Sequence, residues 1–266
     1  MSGFQWIAVQ ASAGVLPAPL LESGLGATLV AGRILPAAIF SPLFGGSALP
    51  LRLRIALGLG IAGIFAAAAG ASASSAELVP ALGRELLLGV SLAFAVTLIF
   101  GAFAWIGGWV DAARGATAAE LADPATGSPA SPLSAFALWL ALAVSFAAGL
   151  HRVFFAAFAE HLARRPVGSP LASGALANLP LTALDLLVEL FSVAALLAAP
   201  ILVALLVVDI CAGVVQRLAS PFEAFALGLG LRGLFGVGLF LVGIAGGFAL
   251  LFGIAREKLG GLFTSW

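Results

Sequence analysis

"LLLGVSLAFAVTLIFGAFAWIGGWV", residues 86–110, is the longest clean apolar run near the middle of the chain. It contains no charged residue, and its only hydroxyl-bearing side chains are Ser91 and Thr97. A helix needs about 20 mainly apolar residues to cross a lipid bilayer. The run therefore predicts one long apolar helix of membrane-crossing length.

Runs of similar character recur along the chain. Hydrophobic residues make up 62% of the 266 residues and charged residues 9%, whereas soluble domains carry about 25% charged residues. Five further stretches reach or approach the length of a span: 26–44, 51–71, 133–158, 186–208 and 227–255. The composition predicts an all-α, polytopic hydrophobic protein with about six long apolar helices. We treat residues 1–266 as a single membrane-associated domain.

The side chains that catalytic and nucleic-acid-binding sites need are scarce. The net charge is zero with no basic cluster, which disfavours binding to a phosphate backbone. His151 and His161 lie ten residues apart without a metal-binding spacing, and the single Cys211 excludes an internal disulfide. Asp111-Ala-Ala-Arg114 resembles the start of the membrane phosphatidyltransferase motif, but Ala112 stands where that motif has glycine. The sequence therefore predicts no enzymatic activity, no metal or cofactor, and no nucleic-acid partner.

Four charged residues lie within or beside the apolar runs: Arg33, Asp185, Glu189 and Asp209. A charge at the centre of a lone membrane helix costs about 2.5–3.5 kcal/mol, so each must face protein, water or another charge. Asp185 and Glu189 are one turn apart, which suits either a solvated interface or a contact to a partner's cation. The loops on the two sides of the predicted spans carry five Lys and Arg residues each, so the positive-inside rule gives no orientation.

The polar connection after the central run reads "DAARGATAAELADPATGSPASPLS", residues 111–134. Asp111 and Arg114 are three apart, so they can pair if the helix continues that far. Asp123-Pro124 marks a turn, because the residue before proline avoids the helical region. Ser131 followed by Pro132 predicts an N-cap and the first residue of a new helix.

This pattern resembles the T-type (flagellar R-type) inner-membrane subunit of type III secretion export gates, the SctT/FliR family. The matching residues of the first motif are Gly107, Asp111, Gly115, Asp123 and Pro124. A second motif, "DICAGVVQRLASPFEAFALGLGLRG" at residues 209–233, matches at Asp209, Gly213, Arg217, Ala219 and Phe225. It departs from the family where Ser220-Pro221 replaces Pro-Gln and where Glu223 replaces Asn. The first motif is more similar to the injectisome branch than to the flagellar one.

The resemblance implies a non-enzymatic structural subunit of a protein-conducting gate for unfolded substrates. It implies a multi-pass protein of the bacterial inner membrane that assembles into a helical cone with R-type, S-type and U-type export subunits. Residues 115–131 correspond to a channel plug, with candidates Gly115, Thr117, Glu120, Leu121, Asp123, Pro124, Gly127, Ser131 and Pro132. Candidate helix-end or subunit contacts are Asp111, Arg114, Asp209, Arg217, Glu223 and Phe225. The alternative is a subunit of a small-molecule transporter, which needs a polar site at the midplane and usually inverted repeats.

Overall fold

The computed structural model describes residues 18–66, 77–116, 131–170, 175–215 and 221–261. Within these ranges the chain forms α-helices and no β-strand, so the all-α prediction is confirmed. The helices are α1 (Ala18–Phe40), α2 (Leu51–Ala66), α3 (Leu78–Ala113), α4 (Pro132–Ala147), α5 (Leu150–Arg164), α6 (Ala175–Val215) and α7 (Pro221–Gly261). Two short 3-10 turns, Pro42–Phe44 and Gly46–Ala48, connect α1 to α2.

Helices α3 and α6 are long and apolar enough to cross a membrane. They qualify over Leu78–Ala113 and Pro180–Val215, which are 36 residues each. Two further pairs of helical segments qualify if each pair counts as one bent span: α4 with α5, and the two halves of α7. The described part of the chain therefore offers two to four candidate spans, by length and composition.

The fourth apolar stretch, predicted as one helix over residues 133–158, is two helices. The α4 helix ends at Ala147 and α5 begins at Leu150. Gly149 between them has a φ of 74°, and its N–H donates to the Phe146 carbonyl at 3.1 Å. Glycine adopts this left-handed conformation without a Cβ penalty, and it commonly ends helices. The prediction of one unbroken helix is wrong. An apolar composition indicates that a segment is buried, but it does not indicate where the backbone turns.

Other helix ends follow the sequence signals more closely. The α5 helix ends at Arg164 before Arg165-Pro166, and α7 ends at Gly261, directly after Gly260. The α1 helix ends at Phe40, four residues before the predicted boundary at Phe44. Ser41 takes an extended conformation, with φ −83° and ψ 141°, because Pro42 disfavours the helical region for the residue before it.

The Cα packing divides the chain into two compact units. Unit 1 comprises residues 1–97, 152–183 and 260–266, and unit 2 comprises residues 98–151 and 184–259. In unit 1, α1 and α2 pack closely: a Cβ on Gly58 would lie 2.9 Å from Leu35. In unit 2, a Cβ on Gly243 would lie 2.9 Å from Ile201. At both glycines the absence of a side chain lets the neighbouring helices approach closely, whereas the single domain over 1–266 stays a prediction.

Candidate functional site

The connection between α3 and α4 is closed at its base by Asp111, which is fully buried in unit 2. One carboxylate oxygen accepts from Nε of Arg114 at 2.6 Å. The other oxygen accepts the backbone N–H of Leu133 at 2.7 Å. The stem of Arg114 packs on α7, where a Cβ built on Gly236 would lie 3.0 Å from its Cδ. The predicted pair of Asp111 and Arg114 is thus confirmed, and it is part of a larger buried contact.

The bond to Leu133 makes Asp111 a cap of α4. Leu133 is the second residue of that helix, and N–H groups in a first turn have no partner within the helix. A carboxylate at this end also interacts favourably with the helix dipole. Ser131 occupies the N-cap position and Pro132 follows it, as the sequence predicts, but the Ser131 side chain makes no capping hydrogen bond. The capping carboxylate comes from a residue 22 positions earlier in the chain.

Gly107 lies one helical turn before Asp111 and allows α3 to approach α4. A Cβ atom on Gly107 would lie 2.3 Å from the carbonyl oxygen of Leu133 and 2.6 Å from the backbone nitrogen of Ser134. Since real Cβ atoms do not approach backbone atoms so closely, any larger residue would push the two helices apart. One face of α3 therefore supplies both the close approach and the capping carboxylate.

Gly115 ends this segment one turn after Asp111. Its φ is 76°, and its N–H donates to the Ala112 carbonyl at 3.1 Å. This left-handed residue stops the helix just after Ala113, as glycine commonly does at that position. Each of the three motif residues thus has its own physical role. Gly107 lets α3 approach α4, Asp111 caps α4, and Gly115 ends α3.

Most of the predicted plug lies outside the described residues. This holds for Thr117, Glu120, Leu121, Asp123, Pro124 and Gly127, and for the predicted contact residue Arg217. Glu223 and Phe225 lie in the first turns of α7, where the structure describes the backbone only. The predicted roles of all these residues stay predictions.

Asp209, predicted as a subunit contact, has a partner within its own chain. It forms an ion pair with Nε of Arg232, which joins α6 to α7 in unit 2. About a third of each side chain remains exposed, at 32% and 36%. Arg232 lies within α7, inside the predicted apolar stretch 227–255. A further contact of Asp209 to another subunit stays a prediction.

Glu189 is also paired within the chain. Its carboxylate accepts from Nζ of Lys258 at 2.6 Å, a second link between α6 and α7. The two alternatives for Asp185 and Glu189 were a solvated interface and a contact to a partner's cation, and for Glu189 the structure shows a cation of this chain, Lys258. Asp185 is exposed, as the solvated-interface alternative expects.

Unit 1 contains a buried ion pair that sequence reasoning did not find. Arg33 of α1 and Glu85 of α3 are each 1% exposed. The Arg33 guanidinium donates to both Glu85 oxygens, from Nε at 2.5 Å and from Nη2 at 2.8 Å. Arg33 was predicted to face protein, water or another charge, and it faces the charge of Glu85. Its partner is 52 residues away, so no local spacing indicates it.

The same ion pair holds the turn that follows α5. Glu85 accepts the N–H of Gly168 at 2.9 Å. The Arg33 guanidinium donates to the Arg165 carbonyl at 3.4 Å. Arg84, next to Glu85, donates from Nη2 to the Gly168 carbonyl at 3.1 Å. Gly168 has a φ of 83°, and Ser169 N–H donates to the Pro166 carbonyl at 3.3 Å, which closes a type II turn.

The contacts described at these clusters are ion pairs and hydrogen bonds to the backbone. The searched, described residues contain no group of three His, Cys, Asp or Glu side chains placed to hold a metal. In the part of the chain that the structure describes, the two buried carboxylates, Glu85 and Asp111, each accept from a guanidinium and from a backbone N–H. Carboxylates held in this way cap helices and fix turns, and they are poorly placed to exchange protons with a substrate.

Comparison with known proteins identifies similar sequences. The family model for "Bacterial export proteins, family 1" matches residues 25–255. The chain is 30% identical to the surface presentation of antigens protein SpaR of Shigella flexneri over 155 residues, 58% of either protein. It is 26% identical to the Yop proteins translocation protein T of Yersinia pestis over 153 residues, 57% of this chain and 58% of that protein.

A third similar protein is the flagellar biosynthetic protein FliR of Caulobacter vibrioides. It is 24% identical over 225 residues, 83% of this chain and 88% of that protein. The match to the SpaR and translocation proteins spans about 58% of their length. The family match covers α3, α4 and the Asp111 contacts, together with the buried Arg33–Glu85 pair.

Proposed function

The chain belongs to the bacterial export proteins of family 1, and we propose that it is a structural, non-enzymatic subunit of a type III export apparatus. In this role it is a multi-pass protein of the bacterial inner membrane and lines part of the path for unfolded secreted proteins. The observation that carries the proposal is the family match over residues 25–255, which includes the Asp111 contacts at the base of the α3–α4 connection.

The names of the similar proteins support the injectisome branch. The SpaR protein, at 30% identity, and the translocation protein T, at 26%, are both more similar over their matched region than the flagellar protein, at 24%. The flagellar match is longer, at 225 residues. We therefore place this chain with the injectisome subunits, within a family that both systems share.

We assign the channel plug to residues 115–131. The two ends of this segment are fixed, because Asp111 bonds to Leu133 and Gly107 packs against the same residue. A connection whose ends are held together can be displaced without separating α3 from α4. Gly115, with its positive φ, gives the segment a defined starting point. These features suit a loop that yields to a passing chain while the helices stay in place.

The partners in this proposal are the R-type, S-type and U-type export subunits, together with the lipid membrane. The surface of α6 supports a role in assembly with such partners. Large apolar side chains are exposed along its length: Val188, Phe191, Leu196, Val203, Leu206, Val207 and Ile210. Such a surface is stable only against lipid or other apolar helices. Several glycines of α2 and α7 also face no atom within 4 Å and leave room for helices of other subunits: Gly60, Gly63, Gly238 and Gly253.

Copurification tests the assembly. The full chain, carrying an affinity tag, is expressed with and without the R-type and S-type subunits and extracted in mild detergent. We expect a stable complex in the first case and aggregation in the second. A well-behaved monomer that retains no export subunit contradicts the proposed role.

Deletion of residues 117–123 tests the plug. The deletion removes the middle of the connection and leaves the Asp111–Leu133 bond, so assembly is expected to persist while the membrane becomes permeable to small solutes. In a second variant, Gly and Ser residues replace the same seven positions. This variant distinguishes the effect of losing the side chains from the effect of shortening the connection. Normal assembly with an unchanged leak in both variants contradicts the plug assignment and leaves the subunit role standing.

A further inference from the structure

The α6 and α7 helices form an antiparallel pair within unit 2. The contacts between them run in opposite order along the two helices: Leu197 with Gly247, Ile201 with Gly243, and Leu205 with Gly236. The two ion pairs continue this series at its ends, Glu189 with Lys258 and Asp209 with Arg232. Glycines on α7 let the two helices approach closely, and an ion pair lies at each end of the contact.

The separation of the two ion pairs matches the thickness of a bilayer core. From Glu189 to Asp209 the α6 helix rises by about 30 Å, and the hydrocarbon core of a bilayer is also about 30 Å thick. By sequence, no charged residue occurs between the pairs, over 190–208 of α6 and 233–255 of α7. The four paired side chains are 29–47% exposed. Exposed charges are costly in hydrocarbon, so the pairs mark where a hydrocarbon layer would end.

Hydropathy alone does not select this part of α6. The apolar span Pro180–Val215 has 36 residues, which gives a helix of about 54 Å, far longer than a bilayer core. The ion pairs select 190–208 from within it. Between the same pairs α7 is the longer helix, and it bends by 48° between Ile244 and Gly246. The bend lets the longer helix cover the same thickness.

The two sides of α6 differ in the size of their side chains. Buried residues recur at intervals of three or four and form one stripe: Leu190, Ala194, Ala198, Ile201 and Leu205. Large side chains on the opposite side are 50–74% exposed: Phe191, Leu196, Val203, Leu206 and Val207. Helices that pack on one another in a membrane use small residues at the contact. Because Ala194 and Ala198 face inward and bulky side chains face outward, the outer side suits acyl chains better than another helix.

The polar atoms of this segment are also compatible with hydrocarbon. By sequence, Ser192 carries the one polar side chain of residues 190–208. Its hydroxyl donates to the Val188 carbonyl at 2.7 Å, within the same helix. Polar groups that are satisfied inside a helix can face lipid, so Ser192 needs no partner from water or from a subunit.

We propose that α6 and α7 cross the hydrocarbon core as a hairpin over residues 190–208 and 233–255, and that the outer side of α6 contacts lipid acyl chains. The Glu189–Lys258 and Asp209–Arg232 pairs lie at the two membrane boundaries, where their charged groups reach water or head groups. The part of α6 after Asp209 lies outside the hydrocarbon. This inference rests on the proposed membrane location of the subunit, and it names the partner of one helix surface.

Spin labels on α6 test the lipid contact. In a Cys211→Ser background, single cysteines are introduced as Val203→Cys and, as the matched control, Val214→Cys. The two valines are 60% and 56% exposed, and they lie on one side of α6, about three helical turns apart. The labelled full chain, with its copurified subunits, is reconstituted in liposomes of dioleoyl phosphatidylethanolamine and dioleoyl phosphatidylglycerol. Collision of each nitroxide is measured with molecular oxygen, which concentrates in hydrocarbon, and with a water-soluble nickel chelate.

We expect the Val203 label to collide frequently with oxygen and at background level with nickel, and the Val214 label to collide several-fold more often with nickel. Low collision rates with both reagents at the Val203 label mean that a subunit covers this side of α6, which overturns the lipid contact. Frequent collision with nickel there places the segment in water and overturns it as well. Equal rates at the two labels overturn the boundary at Asp209.

The wild-type chain supplies a second measurement if a variant fails to fold. Its single cysteine, Cys211, is exposed and follows Asp209 by two residues on α6. We expect a nitroxide on Cys211 to collide readily with the nickel chelate. Collision with oxygen but not with nickel extends the hydrocarbon beyond Asp209 and overturns the proposed boundary. Failure of the export subunits to copurify contradicts the proposed function instead, and the same labels on the chain alone in liposomes then decide the lipid contact.

Discussion

The carboxylate of Asp111, near the end of α3, accepts the backbone N–H of Leu133, in the first turn of α4, at 2.7 Å. The contact is fully buried and is reinforced by Arg114 on the other carboxylate oxygen. It joins the two ends of a connection of about 20 residues and fixes where α4 starts.

Asp111→Ala is expected to destabilise the protein, whereas Ser131→Ala is not. Removing Asp111 leaves the Leu133 N–H and the Arg114 guanidinium without their partner, and hydrogen bonds to charged groups contribute about 1.5–3 kcal/mol. Ser131 holds the N-cap position but donates and accepts no capping bond, so its loss should cost under about 0.5 kcal/mol. Thermal unfolding of both variants in the same detergent provides the measurement. A larger effect of Ser131→Ala would show that the serine is the cap.

Gly107→Ala should be severely disruptive, while Gly108→Ala should be tolerated. The added methyl at Gly107 would meet the Leu133 carbonyl at 2.3 Å, but at Gly108 the nearest atom is 3.9 Å away. Alanine is also the better helix former, by about 1 kcal/mol over glycine. We therefore expect Gly108→Ala to be neutral or stabilising, and Gly107→Ala to lower the yield of folded protein. Equal yields and unfolding midpoints for the two variants would contradict the close approach of α3 and α4.

Single substitutions of the Arg33–Glu85 pair should cost more than the double substitution. Breaking a buried pair by removing one partner costs about 3–5 kcal/mol, because a charge is left buried without compensation. Arg33→Met combined with Glu85→Leu removes both charges and keeps apolar volume, although it leaves Gly168 N–H without its acceptor. A double-mutant cycle on thermal or denaturant unfolding measures the coupling. Additive effects of the two single variants would refute a direct buried pair.

The Asp209–Arg232 pair is expected to contribute little to stability by itself. Both side chains are about a third exposed, and pairs of this kind contribute about 0–1 kcal/mol. The informative experiment is a charge swap, Asp209→Arg with Arg232→Asp, compared with each single change. If the pair acts only within this chain, the variant with both charges swapped is expected to assemble with the export subunits as well as the wild type does. Assembly that stays weak after the swap would indicate that Asp209 also contacts another subunit.

Sequence information was sufficient for interactions between near neighbours. Asp111 and Arg114 are three residues apart on one helix, so their pairing follows from helix geometry. The helix end at Arg164 and the helix start at Ser131-Pro132 follow from proline and from the backbone it imposes. The break at Gly149 was missed, since an isolated glycine in an apolar run is compatible with a continuous helix.

What the sequence by itself determined is the class of the protein: an all-α chain with apolar runs long enough to cross a membrane. Apolar runs of this length dictate helices, because only internal hydrogen bonds satisfy a backbone that is removed from water. The tertiary structure alone decided which charges meet. Glu85 is 52 residues from Arg33, Leu133 is 22 from Asp111, and Lys258 is 69 from Glu189. The energy of an ion pair depends on distance in space and on burial, and neither can be read from separation along the chain.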